Sequence, residues 1–330
     1  MCSELPALNY FGSDTFYSST LHVLTAIEIP IHIFGAYIII TKTPSKMQSV
    51  KRGLLFLHFA GAILDVYYSL IAAPVLTLPI CAGYPLGISL LLGIPTSVQV
   101  YLGISFVGVI GVTIMLFFED RYHRLVNGHR NDGEWCWWRI LYLVIHYVLS
   151  VTYIAPGFFN IVDQDFAKSF VKIKIPCIPD EILHRPGYFV LAVDNTIPKY
   201  CIAFMLTLVM SQVFFYVGAI FWHLFHTVAQ SQATNRLQKH FFLAICVQVF
   251  IPILLITFPV LYIVLAIWFG YYNQAATNIA LLAIPFHGVL STISMLCVHR
   301  PYREATFGMF YNKGDTSRPI WMTVHGTSIH

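Results

Sequence analysis

The amino-acid sequence predicts an all-α membrane protein built as a bundle of seven transmembrane helices. Of its 330 residues, 57% are hydrophobic and only 10% are charged, whereas a soluble domain carries about 25% charged residues. The mean hydropathy is +0.70. Seven separate segments each hold the roughly 20 apolar residues that a helix needs to cross a bilayer. Lipid is therefore the solvent that this composition suits.

The seven segments cover residues 18–40, 53–78, 89–118, 140–159, 200–225, 241–269 and 276–298. They contain two acidic residues, Glu28 and Asp65, and no Lys or Arg. The third and sixth segments exceed a minimal span, so we expect them to tilt or to continue beyond the bilayer. Residues 1–17 contain no Lys or Arg, so we expect the first segment to be retained as an anchor rather than cleaved as a signal peptide.

Basic residues are distributed unequally between the two sets of connecting segments. Fourteen of the nineteen Lys and Arg lie in 41–52, 119–139, 226–240 and the tail from residue 299; the other five are Lys168, Lys172, Lys174, Arg185 and Lys199. Because the more basic side stays in the cytoplasm, residues 1–17 are predicted to lie outside and residues 299–330 inside. The tail begins with a basic and aromatic stretch suited to a helix on the membrane surface.

The most informative motif is formed by Glu119, Asp120, Arg121 and Tyr122, at the predicted cytoplasmic end of the third segment. A guanidinium beside a carboxylate there can hold a local ion pair at rest and, once released, reach a partner protein that enters between the helices. In isolation, such a triplet is more typical of the charged end of a hydrophobic span. On the third of seven helices, it resembles the Asp-Arg-Tyr motif of G-protein-coupled receptors.

Asp65 lies about twelve residues into the second segment, near mid-membrane, where a charge costs roughly 2.5–3.5 kcal/mol. We therefore expect it to face the bundle interior. Two interpretations remain open: a polar switch, which would resemble the acidic residue that G-protein-coupled receptors carry in their second helix, or a protonated, hydrogen-bonded structural Asp. Glu28 lies next to Pro30, with His22 and His32 near by in the sequence, and is either structural or part of a ligand cavity.

Several further stretches resemble the nematode serpentine chemoreceptors of class H (Srh). They are TPSKM at 43–47, AGYPLG at 82–87, GIPTSVQ at 93–99, IPCIP at 175–179, QKHFF at 238–242, QVFIP at 248–252, HGVLS at 287–291 and PYR at 301–303. The resemblance runs from about residue 18 to residue 312. It implies a rhodopsin-like receptor at the plasma membrane of sensory cilia in chemosensory neurons. Such a receptor binds a small odorant or other chemical cue and signals through a heterotrimeric G protein.

The chain departs from the wider receptor superfamily in its sixth and seventh segments. The seventh lacks an Asn-Pro-x-x-Tyr motif, and the sixth carries Thr257, Phe258 and Pro259 in place of Cys-Trp-x-Pro. Activation switches other than Asp120, Arg121, Tyr122 and Asp65 are therefore not transferred by position.

A small apolar ligand needs a mostly apolar cavity with a few polar groups. The residues that we expect to line such a cavity are Gln99, Tyr101, Met205, Phe258 and Tyr262, although plain helix packing is the alternative for each. The outer face is oxidising, so a disulfide between Cys81 and Cys177 would tie the long outer loop over the helices. Many receptors have the first of these cysteines where this chain has Thr96, and Cys2 is an alternative partner.

A ligand-gated channel or a small-molecule transporter is the alternative function. A transporter should show charged or broken helices near the midplane, and seven-helix odorant-gated channels have the opposite orientation to the one predicted above. The sequence has no motif of an enzyme nucleophile, phosphate loop or metalloprotease. The histidines in the segments lack zinc-site spacing, so no catalytic residue, metal or cofactor is expected. The expected partners are a small molecule, a G protein and membrane lipid, and not nucleic acid.

Overall fold

The computed structural model of the protein describes residues 10–127, 137–226 and 232–310. Cys2 and the rest of the first nine residues of the predicted outer segment lie outside the described residues. The predicted tail beyond residue 310 also lies outside them.

Within the described residues, the chain forms eleven α-helices and three short β-strands. The helices are α1 (Asp14–Lys42), α2 (Gln48–Val66), α3 (Ile88–Leu91), α4 (Thr96–Asn127), α5 (Trp137–Thr152), α6 (Gln164–Lys174), α7 (Asp180–Leu183), α8 (Thr196–His226), α9 (Gln232–Phe269), α10 (Gln274–Val298) and α11 (Arg300–Phe310). The strands are β1 (Pro74–Leu76), β2 (Cys81–Pro85) and β3 (Phe189–Ala192). A π-helical turn, Tyr67–Ile71, continues α2.

The membrane-spanning architecture follows from the length and composition of these helices. α1, α2 with its π-helical continuation, α4, α5, α8 and α10 are long and apolar enough to cross a membrane, and α9 contains the shorter apolar stretch Ile253–Phe269. The predicted all-α bundle of seven membrane helices is confirmed. The tail also begins with a helix, α11, directly after α10.

Two of the spanning helices begin at side chains that satisfy their first free N–H groups. Ser13 Oγ accepts from the N–H of Phe16 at 3.2 Å at the start of α1. Asn273 Oδ1 accepts from the N–H of Ala276 at 3.0 Å at the start of α10. Such N-caps replace one of the hydrogen bonds that a helix start lacks.

The second predicted segment, 53–78, is helical only as far as Ile71. Ala73 has a φ of 41°, which a helix does not accommodate, and the chain then turns into β1. Apolar composition alone does not separate a short buried strand from a continuing helix, which is why hydropathy extended the segment to residue 78.

The third predicted segment, 89–118, is divided and shifted. After α3, Gly93 adopts a φ of 67°, and α4 then begins at Thr96, directly after Pro95. α4 continues to Asn127, so the motif from Glu119 to Tyr122 lies inside the helix rather than at its end.

The three strands form an antiparallel sheet in the order β1-β2-β3, with Val75 opposite Tyr84 and Gly83 opposite Phe189. Tyr84 Oη donates to Asp14 Oδ1 of α1 at 2.7 Å, which ties the sheet to one end of the bundle. We call this the sheet end. The opposite end, which carries Glu119 to Arg121 together with α11, is the arginine end. The distribution of basic loops predicts that the sheet end faces outside.

Candidate functional site

An apolar cavity of about 140 Å³ lies between the sheet and the helices. Its wall combines side chains from different elements, among them Val75 of β1, Val100 of α4, Ile202 of α8, Ile263 of α9 and Ile284 of α10. An apolar cavity of similar volume, about 150 Å³, stays dry and binds benzene in another protein. The cavity therefore has the size and character of a site for a small organic molecule.

Most polar side chains on the cavity wall are already bonded to the protein. The Gln99 amide oxygen accepts from Ser89 Oγ at 2.6 Å, and its nitrogen donates to the carbonyl of Ile94 at 2.7 Å. Tyr153 Oη donates to the carbonyl of Ile104 at 3.0 Å. These groups fix the wall rather than present free donors or acceptors to the cavity.

Tyr68, on the π-helical turn that ends α2, is the exception. It lines the cavity and is only 7% exposed. Among the described residues, its hydroxyl group has no hydrogen-bond partner. The hydroxyl lies beside Gly103 of α4, where an added Cβ atom would be 3.3 Å from the Tyr68 oxygen.

A second cavity, of about 60 Å³, lies between α4, α8 and α9. Its wall includes Val107, Tyr153, Ile202 and Val260, which also line the first cavity. The two apolar cavities therefore share part of their wall. The second cavity continues along α8 past Met205 to Val213.

A polar cluster surrounds Asp65, which is fully buried, as the cost of a charge in lipid predicts. His32 Nε2 of α1 lies 3.0 Å from Asp65 Oδ2, and His287 Nδ1 of α10 lies 2.7 Å from Oδ1. One carboxylate therefore joins α1, α2 and α10. His58 of α2 extends the cluster, because its Nε2 lies 2.9 Å from the carbonyl oxygen of His32.

Close backbone approach makes this cluster possible. A side chain at Gly288 of α10 would overlap the Asp65 carboxylate and would lie 2.9 Å from a ring carbon of His32, so this position requires glycine. Glu28, also fully buried, accepts a hydrogen bond from Ser69. In the part of the chain that the structure describes, no group of three or more His, Cys, Asp or Glu is arranged to hold a metal ion.

Charged side chains join α4 to α5 at the arginine end. Arg139 of α5 donates from Nε to Glu119 Oε1 at 3.0 Å and from Nη2 to Glu119 Oε2 at 2.9 Å. The same Nη2 is 2.8 Å from Asp120 Oδ1, and Arg124 Nε donates to Asp120 Oδ2 at 2.7 Å. Arg139 is only 14% exposed and Glu119 only 10%, so the bidentate Arg139–Glu119 pair is screened less by solvent than an ordinary surface pair.

Arg121 follows these two acids on α4. Its guanidinium carbon lies 5.6 Å from the centre of the Phe117 ring, and its Nε and Nη2 atoms are buried. Burial and the nearby positive charge of Arg121 lower the pKa of His299, between α10 and α11, to about 4. Tyr122 packs against Tyr216 of α8, with 5.9 Å between the ring centres.

The five side chains that the sequence suggested for ligand binding do not lie together. Gln99 lines the first cavity and Met205 lines the second. Tyr101 donates to the carbonyl of Val151 on α5, and Tyr262 is 3.2 Å from the hydroxyl of Thr277 on α10; neither lines a described cavity. Phe258 is 62% exposed on the outside of the bundle.

The predicted bridge between Cys81 and Cys177 is wrong. Cys81 is a free thiol, whereas Cys177 is disulfide-bonded. Pairing of β2 with β3 sets Cys81 opposite Ala192, and its side chain lines the cavity. Burial raises the pKa of the Cys81 thiol to about 12, so this thiol stays neutral at physiological pH.

Sequence reasoning missed the histidine partners of Asp65 and the role of Arg139. His32, His58 and His287 are far apart in the sequence and have no shared spacing, so no local pattern joins them. Arg139 was counted only as one of the basic residues of the connecting segment 119–139. A weak signal was available, since a buried Asp in lipid needs polar partners from neighbouring helices.

Three comparisons relate this chain to known proteins. The family model described as serpentine type 7TM GPCR chemoreceptor Srh matches residues 12–312. The Caenorhabditis elegans protein named serpentine receptor class H-72 is 26% identical over 291 residues, which are 85% of this chain and 81% of that protein. The crystal structure of squid rhodopsin aligns with a TM-score of 0.58 at 15% identity, over 90% of this chain and 86% of rhodopsin. The rhodopsin likeness concerns the fold alone.

Proposed function

Since the chain belongs to the Srh family of serpentine seven-transmembrane chemoreceptors, we propose that it binds a small chemical cue at the sheet end and activates a heterotrimeric G protein at the arginine end. The family consists of receptors and not of enzymes, and the protein is a multi-pass membrane protein. The proposal includes a location in the plasma membrane of sensory cilia, where a chemoreceptor meets its ligand.

The observation that carries the G-protein part is the charge arrangement around Arg121. Arg139 of α5 binds both acids that precede Arg121 on α4, which holds α4 against α5. Arg124 binds the second of these acids within α4. The buried guanidinium of Arg121 is costly to keep away from water. A movement that opens the arginine end would present it to carbonyl or carboxylate groups of a partner, with which Arg forms strong charge-assisted bonds.

The Asp65 cluster supports a connection between the two ends. Asp65 binds α1 and α10 through His32 and His287, and it lies between the cavity and the arginine end along α2. A ligand that moves α2 or α10 has to act on these bonds. Asp65 therefore serves in this proposal as a switch within the bundle, while Asp120, Arg121 and Tyr122 form the surface that meets the G protein.

The test compares two arginines of the same end, Arg121 and Arg300. Arg300 is paired with Glu304 on α11, and its side chain is 79% exposed, so Arg300→Ala removes one positive charge without a buried contact. We expect Arg121→Ala to lower agonist-evoked G-protein activation more than about tenfold, because a buried charged contact is worth more than 1.4 kcal/mol. We expect Arg300→Ala to keep most of it. Activation is measured in cells that carry a promiscuous Gα protein, with surface expression of each variant recorded.

Two results would contradict the proposal. The first is a full response of Arg121→Ala at normal surface expression, with an agonist found by screening small organic compounds. The second is ligand-dependent ion flux in liposomes that contain the purified protein and no G protein, which would support the channel alternative.

A further inference from the structure

We propose that the cavity beneath the sheet selects neutral molecules about as large as a benzene ring with one short substituent, and that Tyr68 binds a single oxygen atom of the ligand. Small alcohols, ketones, aldehydes and esters belong to this class. The inference rests on the proposed function, because it names the class of chemical cue that the same receptor would detect.

The size of the ligand follows from the volume of the cavity. At about 140 Å³, the cavity matches one that holds benzene, which leaves room for about six to eight non-hydrogen atoms. The second cavity, which shares Val107 and Val260 with the first, can admit one end of a longer apolar ligand. Peptides and sugars are too large for this space.

The described wall of the cavity carries no charged side chain, which disfavours charged ligands. Among the described residues that line the cavity, there is no Asp, Glu, Lys, Arg or His. Tyr84, which also lines it, donates to Asp14 at 2.7 Å, and Asp14 itself is not part of the cavity wall. A charged ligand would lose its hydration without gaining a counter-charge, which strongly disfavours binding.

Tyr68 supplies the polar specificity. Tyr67 donates to the carbonyl of Gln99, Tyr153 donates to Ile104, and Thr96 donates to Gly187. Tyr68 is 93% buried as a residue. In the described part of the chain, its hydroxyl is the one hydroxyl or amide group of the cavity wall that has no hydrogen-bond partner. A hydroxyl that faces an apolar cavity without a hydrogen-bond partner is unfavourable. A ligand oxygen that bonds to it removes this penalty, whereas a hydrocarbon of the same shape does not.

The first test removes the Tyr68 hydroxyl and keeps the ring. Purified full-length Tyr68→Phe and the unchanged protein are titrated with benzyl alcohol, toluene and benzoate, and binding is followed as the rise in melting temperature that a bound ligand produces. We expect benzyl alcohol to bind the unchanged protein more tightly than toluene, and benzoate to produce no rise. In Tyr68→Phe, the affinity for benzyl alcohol should fall about three- to tenfold, the worth of one hydrogen bond, while the affinity for toluene stays the same.

The second test fills the cavity with a matched pair of substitutions on α4. Val100 lines the cavity, whereas Val98, two residues earlier on the same helix, is 46% exposed on the outside. We expect Val100→Phe to abolish the temperature rise with benzyl alcohol and toluene, and Val98→Phe to preserve both. Equal responses of the two variants would mean that the probes act through the detergent or the surface, which would overturn the proposal.

The remaining outcomes separate this inference from the proposed function. Stronger binding of benzoate than of benzyl alcohol, or an equal loss of benzyl alcohol and toluene in Tyr68→Phe, would overturn the ligand class and the role of Tyr68. A charged agonist that activates a G protein with the same potency in Val100→Phe would overturn the inference and leave the proposed function intact. Binding as expected, without any G-protein activation, would support the inference and contradict the proposed function.

Discussion

The sheet end of the bundle contains unfilled apolar volume, whereas the part that runs from Asp65 to the arginine end contains clusters of polar and charged side chains. At the sheet end, about 140 Å³ lies open beside residues such as Val100. Around Asp65 and around Glu119, both carboxylate oxygens have nitrogen partners within 3.0 Å. Empty apolar space can accept a ligand without breaking an existing bond, while a filled polar network resists substitution and holds helices together.

The two parts are adjacent on the same helices. Tyr68 lines the cavity and Asp65 lies three residues before it on α2; Ile284 lines the cavity and His287 lies three residues after it on α10. Residues three apart are neighbours along one face of a helix. The proposed ligand site and the Asp65 cluster therefore lie about one helical turn apart along the bundle.

The largest expected effect comes from removing the centre of the polar network. Asp65→Ala leaves His32 and His287 buried without their shared acceptor, and breaking a buried pair of this kind costs on the order of 3–5 kcal/mol. We expect a large fall in surface expression and in the melting temperature of the purified protein. Asp180→Ala is the control, because the Asp180 side chain is 74% exposed in its pair with Lys172; its melting temperature should equal that of the unchanged protein. A stable Asp65→Ala variant would show that the network does not hold the helices.

A smaller effect is expected from acid at the arginine end. The pKa of His299 is about 4 in the folded protein, below its ordinary value of 6.5, so the unfolded chain takes up the proton first. The stability that neutral His299 contributes is complete above pH 6.5 and is lost as the pH falls toward 4, by up to about 3 kcal/mol at 1.36 kcal/mol per pKa unit. Melting temperatures between pH 7 and pH 4.5 should fall less steeply for His299→Gln than for the unchanged protein. Parallel curves would contradict the burial of a neutral His299.

The smallest expected effect is at the cavity. Val260 borders both apolar cavities, so Val260→Ile adds one methylene group to empty space. We expect a gain of up to about 0.8 kcal/mol, the value of one buried methylene, seen as a small rise in melting temperature without ligand. A loss of more than about 1 kcal/mol, typical of overpacking, would mean that this space is filled in solution, and would weaken the contrast between the two parts.

Particular residues show how far sequence reasoning reached into the site. Arg121 and its neighbours were found because they interrupt a long apolar run, and Asp65 because a single charge stands out in a hydrophobic segment. Met205 and Gln99 do line cavities, but Phe258 lies on the outside, because hydropathy does not reveal which way a uniformly apolar helix is turned. Tyr68 was missed for the same reason, since its unbonded hydroxyl is a property of its surroundings and not of its spacing.

The sequence by itself determined the class of the protein, the approximate number and order of its spans, the family resemblance and the position of Arg121 on the third span. These properties depend on composition and on short stretches, which are local along the chain. The tertiary structure alone decided that β1 replaces the end of the second predicted segment, that Cys81 stays free, and that His32, His58 and His287 gather around Asp65. Those outcomes depend on how each helix is rotated and how closely two helices approach. Contacts between residues that are distant in the chain, such as Gly288 against Asp65, set both.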